Sequence, residues 1–109
     1  MSRQKGNLAE TKACEFLYDN GFTVLERNFY SRFGEIDIIA TKNKVLHFVE
    51  VKSGEDYEKV IQNITKSKIS KLIKTGDIYM KKNAVDCDYE YDAIIVTLEE
   101  VFHIQNITI

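Results

Sequence analysis

The sequence predicts a single α/β domain, residues 1–109, in which a mixed central sheet is flanked by helices. With 109 residues the chain has the length of one domain and can bury a modest core. Its apolar residues repeat at helical spacing in two segments and at strand spacing in the others. The segments follow in the order α-β-β-β-α-β, which suits an antiparallel meander extended by a fourth strand after the second helix.

The first half of the chain provides a helix and three strands. Residues 7–19 carry apolar side chains along one helical stripe, and Asn20-Gly21 is a suitable end for that helix. Three strands joined by short turns pair with their neighbours in antiparallel fashion. Dense β-branched and aromatic residues, separated by polar turns, predict these strands at residues 22–29, 35–41 and 45–52.

The second half provides a helix and a return to the sheet. Apolar residues from Ile69 to Met80 follow the 3.6-residue period, and Thr65 or Ser67 is a suitable cap for this helix. The helix carries the chain back so that the next strand joins the same sheet. Composition predicts a short helical turn at residues 60–64, a fourth strand at residues 89–97 and a fifth extended segment at residues 101–109.

Charge is distributed unevenly along the chain. The net charge of −2 argues mildly against nucleic acid as a partner. Between Tyr57 and Lys82, however, there are seven lysines and two acidic residues, whereas the C-terminal third is acidic. This asymmetry suits a cationic face on an acidic body. From charge alone, a face that binds a polyanion and a solvated lysine-rich helix remain equally acceptable.

Nothing in the composition indicates a membrane protein or an exported one. No apolar run approaches the roughly 20 residues that span a bilayer, and the polar segment Met1–Gly6 shows no secretory signal. Cys14 and Cys87 lack metal-site spacing. We expect both to be reduced thiols in a cytoplasmic protein, with Cys14 half-buried on the first helix and Cys87 in a loop.

The third strand is apolar on both faces and ends in two charged residues. Side chains alternate along a strand, so Val49 and Val51 point to one face, and Phe48, Glu50 and Lys52 to the other. A strand with two apolar faces belongs in the middle of a sheet, with both valines buried. Ionised groups at its end cost several kcal/mol each unless they are paired or bound to a metal ion.

The second strand brings another carboxylate towards this pair. Alternation places Glu35, Asp37 and Ile39 on one face, and a turn near residues 42–44 sets Asp37 opposite or diagonal to Glu50. Two neighbouring carboxylates repel each other unless a cation lies between them, and hard ions such as Mg²⁺ prefer such oxygen ligands. A lysine two residues from Glu50 could then orient a water or stabilise charge on a phosphate.

Four other polar residues are weaker candidates. Glu10 lies near the edge of the first helix's apolar stripe and could lean towards the sheet, so its role as a site residue is an open alternative. Glu35 is more typical of a surface position at a strand end. His47 and His103 have no evident partner, and we interpret both as core or edge packing.

The acidic motifs match a known pattern. Gly34-Glu35-Ile36-Asp37, then twelve residues, then Glu50-Val51-Lys52, resembles the signature of the PD-(D/E)XK nucleases, whose restriction-endonuclease-like core has the order α-β-β-β-α-β. The chain is most similar to the uncharacterised bacterial YraN family, which resembles archaeal Holliday junction resolvases. Further similarities lie at Gly6, Ala9-Glu10, Gly21-Phe22, Arg27-Asn28, Lys68 and Tyr91-Asp92.

The resemblance implies roles for these residues. Asp37 and Glu50 would hold Mg²⁺ or Mn²⁺, Lys52 would lie beside the attacked phosphate, and Glu10 would complete the catalytic group from further out. Lysines of the second helix would contact the phosphate backbone of DNA, namely Lys66, Lys68 and Lys71. The sequence departs from the pattern at Glu90 and Ser53, where the family often has positive charge, which argues against tight nucleic-acid binding.

Three classes of function follow. The first is a metal-dependent endonuclease that hydrolyses DNA, in branched or processed structures. The second is a nucleic-acid-binding module of the same fold with little or no catalytic activity, and the third is a scaffold for another protein. The trio Asp37, Glu50 and Lys52 favours the nuclease, whereas the low net charge favours the others. A two-fold homodimer would suit a junction-like substrate by analogy.

Overall fold

The structure, a computed structural model, describes the backbone of residues 2–108 and the side chains of residues 8–108. Gly6, one of the matched positions, therefore lies outside the described side chains. Five strands and three helices follow one another in these residues: α1 Ser2–Asp19, β1 Thr23–Ser31, β2 Gly34–Lys42, β3 Val45–Ser53, α2 Tyr57–Ile61, α3 Lys66–Lys82, β4 Asp88–Val96 and β5 Val101–Ile104.

The strands form one mixed sheet in the order β1-β2-β3-β4-β5. The first three strands make the predicted antiparallel meander, β4 joins β3 in parallel, and β5 returns antiparallel to β4. The turn between β2 and β3 contains two consecutive residues with positive φ, Asn43 at 53° and Lys44 at 65°, which is typical of a two-residue hairpin. The predicted fold class is confirmed.

The central position predicted for β3 is also confirmed. Val49 is fully buried and Val51 is 8% exposed, because each face of β3 is covered by a different helix layer. Val49 and Val51 pack with Ala13 and Leu17 of α1, whereas Phe48 packs with the α3 side of the molecule. The charged end of this strand therefore sits at the rim of a core with two layers.

Several element ends differ from the prediction. Helix α1 begins at Ser2 rather than at residue 7, and the short helix α2 begins after Asp56, which caps it. Thr65 caps α3 by accepting a hydrogen bond from the Lys68 N–H at 3.2 Å. Strand β5 ends at Ile104 rather than at 109, because Asn106 adopts a φ of 59° and leaves the strand. Ile109 itself lies outside the described residues.

The prediction that β2 alternates strictly is wrong. Ile36 packs on the α3 side with Ile39, while Ile38 and Ala40 pack on the α1 side. The partner strand β1 is irregular at the same level, since Asn28 has a φ of 56° in the left-handed region. The shift lies between Ile36 and Ile38, at Asp37, and it brings the acidic side chains of β2 to the α1 side of the sheet.

The thiols and helices show two further features. Cys14 is half-buried, Cys87 is exposed and both are free, as the sequence predicted. None of the helices in the described part of the chain combines the length and the apolar character needed to span a membrane.

We expect Gly76→Ala to destabilise the protein by about 1–3 kcal/mol, the usual range for overpacking a well-packed core. A Cβ atom at Gly76 would overlap the phenol of Tyr91, with ring atom Cε1 only 2.8 Å away. Tyr91 is 4% exposed, and its hydroxyl donates to the Ile73 carbonyl oxygen at 3.3 Å, so it has little freedom to move. Urea unfolding measures the effect. Ser70→Ala, at an exposed position of α3, is the control, and equal stability of the two variants would contradict the expectation.

Candidate functional site

Three carboxylates from two elements meet beside the central strand. Glu10 of α1 and Glu35 and Asp37 of β2 each offer one oxygen, and these oxygens all lie within 4.8 Å of one another. Glu10 and Asp37 are buried, whereas Glu35 is half-buried. Glu35, which the sequence assigned to the surface, therefore belongs to the cluster, and Glu10 leans towards the sheet.

Asp37 is held in place by the backbone of β3. The β2–β3 ladder reaches Ile38↔Val49. Beyond this pair the Asp37 carboxylate itself accepts a hydrogen bond from the Val51 N–H at 2.7 Å. A side chain thus takes the place of a ladder hydrogen bond, which fixes the carboxyl group at the point where the two strands separate.

Glu50 completes the acidic group. Burial, followed by the hydrogen-bonding proximity and negative charge of Glu50, raises the pKa of Asp37 to about 8, against the opposing effects of the Val51 N–H and of Glu35. The pairing of Asp37 with Glu50 that the sequence predicted is therefore present. A like charge so close disfavours the ionised form of Asp37.

The cluster has little positive charge of its own. Arg27 of β1 donates to Glu10 through Nη2 at 3.4 Å, and the guanidinium is partly exposed. Lys52 is half-buried, and it follows Glu50 at the spacing that places both side chains on one face of β3. Four carboxyl groups thus face Arg27 and Lys52, and their all-oxygen donor set fits a hard divalent ion.

A cationic surface lies on α3, which covers the face of the sheet opposite to α1 and the acidic cluster. Lys66, Lys68 and Lys71 are exposed on α3. The helix is anchored to the β1–β2 hairpin, because the Ser31 and Thr75 hydroxyls lie 2.8 Å apart. The hairpin leads directly into Glu35 and Asp37. A Cβ atom at Gly34 would lie 3.8 Å from the Cβ of Lys71, so Lys71 is the predicted lysine that lies close to the acidic motif in the chain.

Two further residues belong to this surface, namely Lys74, one of the seven lysines between Tyr57 and Lys82, and Arg32, which the sequence pattern did not indicate. Arg32 and Lys74 place their cations over the Phe33 ring, 4.9 Å and 5.3 Å from its centroid. Arg32 occupies the turn immediately before the Gly34–Asp37 motif, and this adjacency was the available signal. We define the cationic surface as Arg32, Lys66, Lys68, Lys71 and Lys74.

A second polar cluster involves the two histidines. His47 Nδ1 and His103 Nε2 lie 2.7 Å and 2.8 Å from the same oxygen of Asp92, Oδ2. The expectation that these histidines have no partner is therefore wrong. Burial alone would raise the pKa of Asp92. The hydrogen bonds from His103, His47 and the Asn106 N–H together outweigh burial and hold that pKa below its usual range.

Comparisons with known proteins place these residues in a family. A model of the uncharacterised protein family UPF0102 matches residues 9–96, which include both acidic motifs. A UPF0102 protein of Sulfurimonas denitrificans is 66% identical over 109 residues, covering 100% of both chains. UPF0102 proteins of Helicobacter hepaticus and Wolinella succinogenes are 52% and 50% identical. These alignments cover 99% and 100% of this chain and 97% and 100% of the respective relatives.

Proposed function

The chain belongs to the uncharacterised protein family UPF0102, and we propose that it is a divalent-metal-dependent endonuclease that hydrolyses DNA, in branched or processed structures. The observation that carries the proposal is the buried Asp37 carboxyl, which is crowded by Glu50 and Glu35 beside a half-buried lysine. Clusters of carboxylates are destabilising when ionised without a cation. A strongly perturbed carboxyl with specific charged neighbours is also a recognised mark of a functional site.

Each residue has a role in the proposed reaction. Asp37, Glu35 and Glu50 would hold Mg²⁺ or Mn²⁺, and Glu10, fixed by Arg27, would support the group from the α1 side. Such an ion, when bound, supplies Lewis-acid polarisation of a phosphoryl oxygen and a more acidic bound water.

Lys52 would act on the substrate rather than on the metal. No hydrogen bond or ion pair occupies its ammonium group within residues 8–108. It is therefore free to donate to a phosphate oxygen as negative charge develops there. The cationic surface would hold the flanking phosphates on the side of the β1–β2 hairpin.

A binding module with little activity is the second candidate. It is supported by the exposed lysines of α3, which could contact phosphates without the acidic cluster. The net charge of −2 argues against tight binding of a polyanion in either case. In either case a two-fold dimer would present two equivalent sites. This arrangement would match the two-fold symmetry of a branched DNA junction.

Cleavage of a panel of branched, single-stranded and duplex DNAs with Mg²⁺ or Mn²⁺ tests the proposal. We expect wild-type protein to cut at least one branched substrate and the Glu50→Ala variant to cut none. Binding without cleavage would favour the second candidate. Cleavage that survives in Glu50→Ala would contradict the assigned site.

Lys52→Ala should separate chemistry from metal binding. Removing one preorganised donor to a developing charge typically lowers kcat by about 10²–10³-fold, whereas the carboxylates that hold the ion are untouched. The variant should therefore lose cleavage but retain stabilisation by Mn²⁺ in thermal unfolding. Lys59→Ala, at an exposed position of α2, is the control. Loss of the Mn²⁺ response in Lys52→Ala would instead make this lysine a structural part of the acidic cluster.

The double variant Lys68→Ala/Lys71→Ala should weaken DNA binding and reduce its salt dependence. Each lost phosphate contact lowers the slope of log affinity against log salt by about one unit. Fluorescence anisotropy between low and moderate salt measures the slope. Lys44→Ala, at the exposed turn between β2 and β3, should leave it unchanged. An unchanged slope in the double variant would mean that these lysines are only a solvated face.

A further inference from the structure

Tyr30 of β1 is an exposed aromatic residue next to the acidic cluster. Its register partner on β2 is Glu35, one of the three carboxylates that meet there. Directly opposed residues of an antiparallel pair have their side chains on one face of the sheet, with Cβ atoms about 5 Å apart. Phe29 packs on the α3 side with its own partner Ile36. Alternation along β1 therefore places Tyr30 on the α1 side, where the cluster lies.

The ring of Tyr30 is open to solvent at this position. The residue is 67% exposed. Strand β1 is an edge of the sheet and pairs with β2 alone among the described strands, so another strand does not cover the outer flank of the ring. A tyrosine ring presents flat apolar faces whatever its hydroxyl contacts. Tyr30 can therefore stack on a flat ligand at the rim of the cluster.

Arg27 places positive charge on the same face. It is the register partner of Ile38, which packs on the α1 side, and its Nη2 donates to Glu10 at 3.4 Å. The side chain is 37% exposed. A guanidinium carries five N–H donors, so the bond to Glu10 leaves donors for a phosphate oxygen. An aromatic ring beside a cation is the combination with which proteins hold single-stranded nucleic acid.

The flat groups of DNA that could stack on Tyr30 are its bases. Within a duplex both faces of a base are covered by its neighbours in the stack. An unpaired nucleotide at a branch, a flap or a single-stranded end can turn its base towards an aromatic side chain. Every base has such a face, so stacking of this kind distinguishes unpaired from paired DNA and does not read sequence.

We propose that Tyr30 is a specificity-determining residue of the acidic site, and that its ring stacks on the base of an unpaired nucleotide beside the scissile phosphate. The substrate class is then DNA with an unpaired nucleotide at the position of the cut. This inference rests on the proposed nuclease function, since it takes the acidic cluster as the place of cleavage. The stack would hold the backbone against the carboxylates of the cluster, while Arg27 contacts a neighbouring phosphate.

The first test compares a fully paired duplex with a fork of the same sequence that has two unpaired arms. Tyr30→Val removes the ring and keeps a residue suited to a strand, whereas Tyr30→Phe keeps the ring and removes the hydroxyl. Tyr30→Val should lower kcat/KM on the fork by about tenfold, the size of one base–aromatic stack, and leave any cutting of the duplex unchanged. Tyr30→Phe should behave as the wild type, and so should the control Tyr18→Ala, which removes an exposed ring at the far end of α1.

The second test measures binding without cleavage. The fork carries the fluorescent base 2-aminopurine at each unpaired position next to the branch in turn, and the protein carries Lys52→Ala so that the DNA stays intact. Stacking on Tyr30 should quench the fluorescence at one of these positions in the presence of Mn²⁺. The quenching should persist in Tyr30→Phe/Lys52→Ala and be lost in Tyr30→Val/Lys52→Ala.

The two tests separate failure of this inference from failure of the proposed function. Absence of cleavage by the wild-type protein would count against the nuclease, and the fluorescence would still decide whether Tyr30 stacks on a base. Absence of quenching, or quenching that Tyr30→Val leaves unchanged, would overturn the inference. A loss of fork cleavage in Tyr30→Phe as large as in Tyr30→Val would overturn it too, because the hydroxyl and not the ring would then be required.

Discussion

Replacing Asp37 by asparagine should stabilise the metal-free protein at neutral and higher pH and abolish its stabilisation by Mn²⁺. In the metal-free fold the Asp37 carboxyl is buried beside Glu50, which raises its pKa to about 8. Ionising Asp37 is therefore unfavourable for folding, and asparagine removes this charge while keeping a similar shape. The same change removes a carboxylate that would hold the metal ion. Mn²⁺ should then bind the native state too weakly to stabilise it by mass action.

The pH dependence has a definite sign. An unperturbed aspartate titrates near pH 4, and the folded-state pKa of Asp37 lies above this value. The stability contributed by its protonated form is fully present below about pH 4 and is lost as the pH rises through about 8. Each unit of pKa shift corresponds to about 1.4 kcal/mol, so the wild-type protein should be a few kcal/mol less stable than Asp37→Asn at pH 9 and similar to it at pH 4.

Chemical unfolding of both proteins in EDTA across this pH range measures the difference, and a second series with Mn²⁺ measures the metal response. Glu99→Gln, which removes an exposed carboxylate near β5, should follow the wild-type pH profile and retain the Mn²⁺ response. An Asp37→Asn protein with the wild-type pH profile would show that the two carboxyl groups are not crowded. If Mn²⁺ stabilised this variant as much as the wild-type protein, Asp37 would not be a ligand of the metal ion.

The central part of the site could be predicted because it depends on local pattern. The two apolar faces of β3 required a central strand, which fixed Glu50 and Lys52 at the rim of the core. The short turn after β2 then required Asp37 to approach Glu50. Each step used only the two-residue period of a strand and the geometry of a tight hairpin.

The position of Glu35 could not be predicted in this way. Strict alternation would have placed both Glu35 and Asp37 on the face of Ile39, away from Glu10 of α1. The actual strand shifts at Asp37, at the level of the left-handed Asn28 in β1. Such irregularities depend on how two strands pair, and a single sequence does not mark them.

The histidine cluster was missed for a different reason. His47 and Asp92 are brought together by the parallel pairing of β3 with β4, across two intervening helices. Parallel register is set by the packing of the crossover on the sheet and has no turn signal comparable to that of a hairpin. His103 joins the same carboxylate only because β5 folds back on β4.

Asp92 should be among the residues most important for stability in the metal-free protein. It is fully buried, and it accepts hydrogen bonds from His47, His103 and the Asn106 N–H. Its folded-state pKa lies below the usual value, so the stability it contributes is present above about pH 4 and is lost as the pH falls through the folded-state pKa.

We expect Asp92→Ala to lower the free energy of unfolding by about 3–5 kcal/mol at pH 7, the usual effect of removing one partner of a buried charged group. The alanine would leave both imidazoles and a backbone N–H without an acceptor and would open a cavity beside the two histidines. Urea unfolding in EDTA measures the loss without any contribution from a bound ion. Asp88→Ala, exposed on the same strand, should change stability by less than about 0.5 kcal/mol. Equal stability of the two variants would mean that the hydrogen bonds of Asp92 only compensate for the cost of burying its charge. The β3–β5 half of the sheet would then be stabilised by its apolar contacts alone.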